Sequence, residues 1–145
     1  MLLCEGDHEL AEVILPNTAP PVKPAIVIGG VRFDLAMGRP PNTAIGLAFD
    51  GMRVATARRT GWLWPRYDVD VVPDVAEDGP LVFTVRASFA RRSHVVETDG
   101  DRVGAIGMVG ITSKLSIDIA EAVPVLVQAF LLTAVIDSIR SLSSA

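Results

Sequence analysis

The segment from Ala122 to Ile136 reads AVPVLVQAFLLTAVI, and between Val125 and Ile136 only Gln128 and Thr133 are polar. A helix that is apolar nearly all round must be covered on every side. A bilayer crossing needs about 20 apolar residues, so this run is short for a membrane span and suits a buried core helix. Asp118 or Glu121 suits the helix start, and Pro124 is tolerated in a first turn. Arg140 falls in the last turn, where a cation favours the helix dipole. The spacing predicts a core helix over about 119–141. Its twelve most apolar residues would rise roughly 18 Å at about 1.5 Å each. The rest of the chain must supply the cover.

What precedes the run reads as short strands. Val31-Arg32-Phe33-Asp34-Leu35-Ala36-Met37 alternates apolar and polar, as do Tyr67-Asp68-Val69-Asp70-Val71. That period of two marks a half-buried strand. Leu10–Leu15, Ala25–Ile28, Ala44–Phe49, Met52–Arg58, Pro80–Arg86, Ser93–Thr98 and Arg102–Val109 add further strand-like runs. Asp50-Gly51, Asp78-Gly79 and Asp99-Gly100 sit between or beside them, and Asp-Gly is a strong hairpin signal. Gly29-Gly30 is another turn signal, and prolines 16, 20, 21 and 24 punctuate a loop. No segment before residue 118 shows a helical period. Nine or ten strands over about 8–117, followed by one helix, predict a single domain over 1–145. The expected fold is mainly β: an antiparallel β-barrel, or a partly open barrel, wrapped around a buried hydrophobic helix. Its interior must be filled, and the helix fills it.

Composition narrows the function. Half of the 145 residues are hydrophobic, so intrinsic disorder is excluded. A single cysteine, Cys4, excludes a disulfide scaffold. Net charge −4 argues against a nucleic-acid binder held by bulk charge. The first residues, Met1-Leu2-Leu3-Cys4-Glu5-Gly6-Asp7, lack the basic and apolar regions of a secretory signal, so a cytoplasmic location is expected.

Few residues carry chemistry. His8 and His94 are the only histidines, and Ser93-His94 would point to opposite faces of a strand. No Cys or His spacing fits zinc, and neither Asp68/Asp70 nor Asp99/Asp101 has the ligand count calcium takes. The glycines at 104, 107 and 110 suit bulges or close packing against the helix. We expect no catalytic residue, metal or cofactor, and hence a protein that is not an enzyme. One surface cluster stands out. Arg58-Arg59-Thr60-Gly61-Trp62-Leu63-Trp64-Pro65-Arg66-Tyr67 sets arginines around two tryptophans, and Arg91-Arg92 could join it. Indole rings sit at lipid headgroups and guanidinium groups pair with phosphate. Arg58, Arg59, Trp62, Trp64, Arg66, Arg91 and Arg92 are therefore the expected contacts for anionic phospholipid or a protein partner.

Three stretches resemble the tubby C-terminal-like superfamily, in its scramblase-like and LURP-one-related branches. They are Tyr67-Asp68-Val69 through Asp78-Gly79 to Arg86, Val95 through Asp99-Gly100 to Ile106, and Val125 to Asp137. The resemblance covers about residues 50–140 and implies a shortened member: a closed antiparallel barrel threaded by its C-terminal helix. It implies a non-enzymatic binding or scaffold module that works peripherally at a membrane. The alternatives are a protein-interaction or homo-oligomeric module and a single-span membrane-anchored protein.

Overall fold

The computed structural model describes residues 1–15, 22–37, 44–61, 65–88, 93–108 and 115–143. Eleven strands run in order: β1 (Leu2–Glu5), β2 (His8–Ile14), β3 (Ala25–Ile28), β4 (Val31–Met37), β5 (Ala44–Phe49), β6 (Met52–Thr60), β7 (Arg66–Val71), β8 (Val82–Ala87), β9 (Ser93–Thr98), β10 (Asp101–Met108) and β11 (Leu115–Ile119). A one-turn helix, α1 (Pro73–Ala76), lies between β7 and β8, and a long helix, α2 (Val125–Ser143), ends the chain. Every strand pairs antiparallel with the next, giving one sheet in sequence order from β1 to β11.

The turns follow from local chemistry. Two-residue hairpin loops whose twist matches the strands need positive φ at both central residues, which favours Asp-Gly and Gly-Gly. Asp50 and Gly51 sit at φ 50° and 80°, and Asp99 and Gly100 at 52° and 82°. Phe49 faces Met52 and Thr98 faces Asp101 across these turns. Asp78-Gly79 behaves differently. It follows α1 within the longer connection from β7 to β8, and the positive φ there belongs to Glu77. Gly79 is required for space: a Cβ would lie 3.0 Å from the carbonyl oxygens of Ala76 and Ala122.

The sheet alternates as its sequence period demands. On β7, Tyr67, Val69 and Val71 are buried while Arg66 and Asp70 are exposed. Ala55, Ala57, Phe83, Val85, Val96 and Ile106 continue the inward face. Against it lies α2, in contact with β2, β3, β7, β8 and α1. All eight residues from Ala129 to Ile136 are buried. At about 3.6 residues per turn, eight consecutive positions cover every side of a helix. Thr133 is tolerated inside because its hydroxyl donates to the Ala129 carbonyl at 2.9 Å. Gln128 donates its side-chain amide to the Val123 carbonyl at 2.8 Å, outside the helix start.

Mainly antiparallel β with one C-terminal helix is therefore the architecture, and four expectations are corrected. The sheet is not a closed barrel: β1 and β11 are its two ends and do not pair. Strands extend beyond 8–117, because Leu2–Glu5 pairs with β2 and Leu115–Ile119 with β10. The helix starts at Val125 rather than near 119, since Ile119 is taken by β11 and Pro124 precedes the helix, its carbonyl accepting from Gln128. Finally, α1 is a helix before residue 118, too short for any period to show. Gly104 lies at an irregularity of the strand, as expected, and its close approach is to β11. A Cβ there would lie 2.2 Å from the Asp118 carbonyl oxygen, beside a register shift in the β9–β10 ladder.

Phe130→Asp is expected to abolish folding, because a buried charge without a partner is very costly. Loss of the near-ultraviolet circular dichroism and of a cooperative urea transition would show it. Gly104→Ala should cost about 1–3 kcal/mol by overpacking. Urea unfolding reads that cost, and hydrogen exchange should report faster exchange in β11.

Candidate functional site

The two ends of the sheet meet one cleft. It measures about 1490 Å³ and is lined by Leu2, Leu3, Cys4 and Glu5 from β1 and by Leu115, Ile117 and Ile119 from β11. Val125, Leu126, Gln128 and Leu132 of α2 also line it, with Val75 of α1 and Phe33 of β4. The local sequence explains the half-finished burial. On β11 the inward residues Leu115, Ile117 and Ile119 alternate with exposed Ser116 and Asp118, yet all three remain only half-buried. Strands inside the sheet bury the corresponding positions, as Val69, Val85 and Val96 do. An end strand lacks a neighbour on one side, so its inward side chains stay open to the cleft. The charged side chains at the cleft are all acidic, while the Met1 ammonium, also in its lining, is turned to the Val13 carbonyl at 2.9 Å. Glu5, Asp74, Glu77 and Glu121 line it, with no Lys, Arg or His among its described lining residues.

A second group of polar residues ties α2 to the sheet near the helix C-terminal end. The Tyr67 hydroxyl on β7 donates to Asp137 Oδ2 in a short contact. Burial, and then the hydrogen bond to Asp137, push the Tyr67 phenol well above its ordinary pKa, so it stays protonated as the donor. Arg59, opposite Tyr67 in the β6–β7 ladder, opposes that shift with its positive charge. His94 Nε2 on β9 lies 3.0 Å from Ser138 Oγ. An imidazole and a hydroxyl at this spacing can form a nucleophile–base pair where substrate can reach them. Here both residues are sealed, at 1% and 0% exposure, and the pair joins strand to helix. Among the described residues no buried side-chain nitrogen or oxygen lacks a hydrogen-bond partner.

The structure separates the arginines that the sequence groups together. Arg58 and Arg66 are exposed on the outer face of β6 and β7. Arg59 follows the inward alternation of Ala55 and Ala57 and is half-buried beside Tyr67. Arg66 holds Asp68 at 3.3 Å, and Asp68 is also the register partner of Arg58. Trp62, Trp64, Arg91 and Arg92 lie outside the described residues. Cys4 is exposed on β1 at the cleft. Among the described residues no three His, Cys, Asp or Glu side chains gather as metal ligands, and no helix is long and apolar enough to cross a membrane.

Comparison with known proteins finds no matching family model, no matching curated protein and no matching solved structure. The cleft escaped sequence reasoning because its two walls are about 110 residues apart in the chain. The one available signal was the acidic and apolar mixture around Glu121 and Leu115–Ile119.

The buried imidazole makes a pH prediction. Burial pushes His94 from its ordinary 6.5 down to about 4. In that interval the unfolded chain binds the proton and the folded chain does not, so stability falls as pH drops. The contribution is complete above about pH 6.5 and lost below about pH 4, on the order of 3 kcal/mol at about 1.36 kcal/mol per pH unit. Urea midpoints should therefore fall more steeply with acid in the wild type than in His94→Gln. Parallel decline in both proteins would exclude this role.

Proposed function

We propose that this chain is a non-enzymatic binding module whose site is the cleft between the ends of the sheet. In this reading the sheet is a barrel opened along one seam, with α2 as its filling, and the module is of the tubby-like type. The observation that carries it is the half-burial of Leu115, Ile117 and Ile119 beside Val125 and Leu126. Clefts lined mostly by apolar groups with a few polar ones are the usual form of a binding site. The burial of α2 against β2, β3, β7 and β8 supports the resemblance to barrels threaded by a C-terminal helix.

Contact with anionic phospholipid has Arg58 and Arg66 on the outer sheet face to support it. Arg66 is paired with Asp68, Arg58 stands opposite Asp68 in the ladder, and Asp70 lies further along the same face. With two carboxylates beside two guanidinium groups, this face offers a phosphate little net positive charge, so we place the site in the cleft.

A neutral environment-sensitive dye such as Nile red should bind saturably, with a rise in emission. Ile117→Glu and Leu126→Gln should each weaken that binding about tenfold or more, equivalent to about 1.4 kcal/mol, while circular dichroism stays native. Dye that fails to saturate, or that binds both folded variants as well as the wild type, would refute the assignment.

A further inference from the structure

We propose that the cleft receives one extended segment of a partner protein, apolar residues alternating with Lys or Arg, which pairs antiparallel with β1 and β11 at once. This rests on the reading of the cleft as the binding site and names its occupant.

Strand parity is the first reason. Each strand runs opposite to the one before it, so the first and the eleventh point the same way. Pairing β1 directly with β11 would be parallel, unlike every other pair in the sheet. A single strand running the other way would meet both ends with the same antiparallel ladder. The unpaired N–H and C=O groups of an end strand are a template for such addition.

Side chains give the second reason. Natural end strands are commonly blunted with Lys or Pro. Leu115–Ile119 contains neither, and Leu2–Glu5, though short and shifted in register between Leu3 and Cys4, contains neither as well. An added strand of five residues would match the length of β11, about 17 Å at roughly 3.4 Å per residue. Its alternate side chains would face inward onto Ile117, Ile119 and Leu126, and these must be apolar. The others would face outward or toward the ends of the cleft.

Charge then chooses the partner. Glu5, Glu77 and Glu121 line the cleft, and Asp118 is exposed on the outer face of β11. Like charges across a strand pair destabilise it and opposite charges support it. Each end strand of this chain carries one carboxylate and no cation, and the net charge is −4. A second copy is therefore a poor match and a cationic segment a good one.

The test uses the full chain and a capped seven-residue peptide alternating lysine with isoleucine. Its controls are the same peptide with glutamate for lysine and a version with alternate backbone amides N-methylated. The lysine peptide should slow amide exchange in both Leu2–Glu5 and Leu115–Ile119, and neither control should. The double variant Glu5→Lys/Glu121→Lys should bind it about tenfold more weakly, equivalent to about 1.4 kcal/mol. If the dye binds and Ile117→Glu weakens that binding about tenfold or more, yet no peptide slows exchange at both ends of the sheet, the strand proposal falls and the cleft reading stands. If neither dye nor peptide binds, both fall. Equal protection by the glutamate peptide would overturn the charge assignment. Protection that rises with protein concentration alone, with a dimer in light scattering, would overturn it in favour of a second copy.

Discussion

The whole arrangement depends on covering α2. Eight consecutive helical residues from Ala129 to Ile136 leave no side that water could touch without cost. A flat sheet shields one face of a helix. Shielding all of them takes a sheet that curves round, and an antiparallel meander with short turns can do so because each strand adds its twist to the last. The turns at Gly29-Gly30, Asp50-Gly51 and Asp99-Gly100 join successive strands as tight antiparallel hairpins. Small inward residues such as Ala55 and Ala57 are buried on the face that carries the core.

Apolar packing is non-directional and would let the helix slide or rotate. The polar contacts remove that freedom. Tyr67 to Asp137 and His94 to Ser138 join two adjacent helical residues to two different strands. A rotation that kept one pair would break the other. Leaving either partner buried and unsatisfied costs about 1–3 kcal/mol. At the opposite end, Gln128 and the Pro124 carbonyl fasten the first turn to the connection from β11. The helix is thus fixed in rotation at one end and in position at the other.

Where the cover stops, the cleft begins. Half-buried apolar residues on β11 and α2 face it, and acidic residues line it. Cleft and core are one construction: side chains of β11 and α2 that would have been core beside a further strand form the floor of the cleft instead. The outer surface is different in kind. Arg32–Asp34, Arg66–Asp68 and Arg86–Glu97 are exposed pairs on single strands or neighbours, each worth about 0–1 kcal/mol.

Much of this was legible in the residues themselves. Period-two alternation located β4 and β7, Asp-Gly pairs located two hairpins, and the uniform apolar run announced a helix that must be enclosed. These signals are local, because strand period, turn conformation and helix amphipathicity depend on neighbours in the chain. The misreadings were also local in origin. Leu2–Glu5 is too short to display a period, Leu115–Ile119 alternates but its last residue reads as part of the helix that follows, and Asp78-Gly79 carries a hairpin signature while serving close packing. Arg58 and Arg59 read as one basic cluster, but adjacent strand residues face opposite sides of the sheet. The mainly β content, the burial of the C-terminal helix and the Asp-Gly hairpins at 50–51 and 99–100 were thus set by the sequence alone. Only tertiary structure decided that β1 and β11 stop short of each other, that Asp137 and His94 find Tyr67 and Ser138, and that a cleft opens beside α2. Each of these joins residues far apart in the chain, and such meetings depend on the accumulated curvature of the sheet rather than on any one segment's preferences.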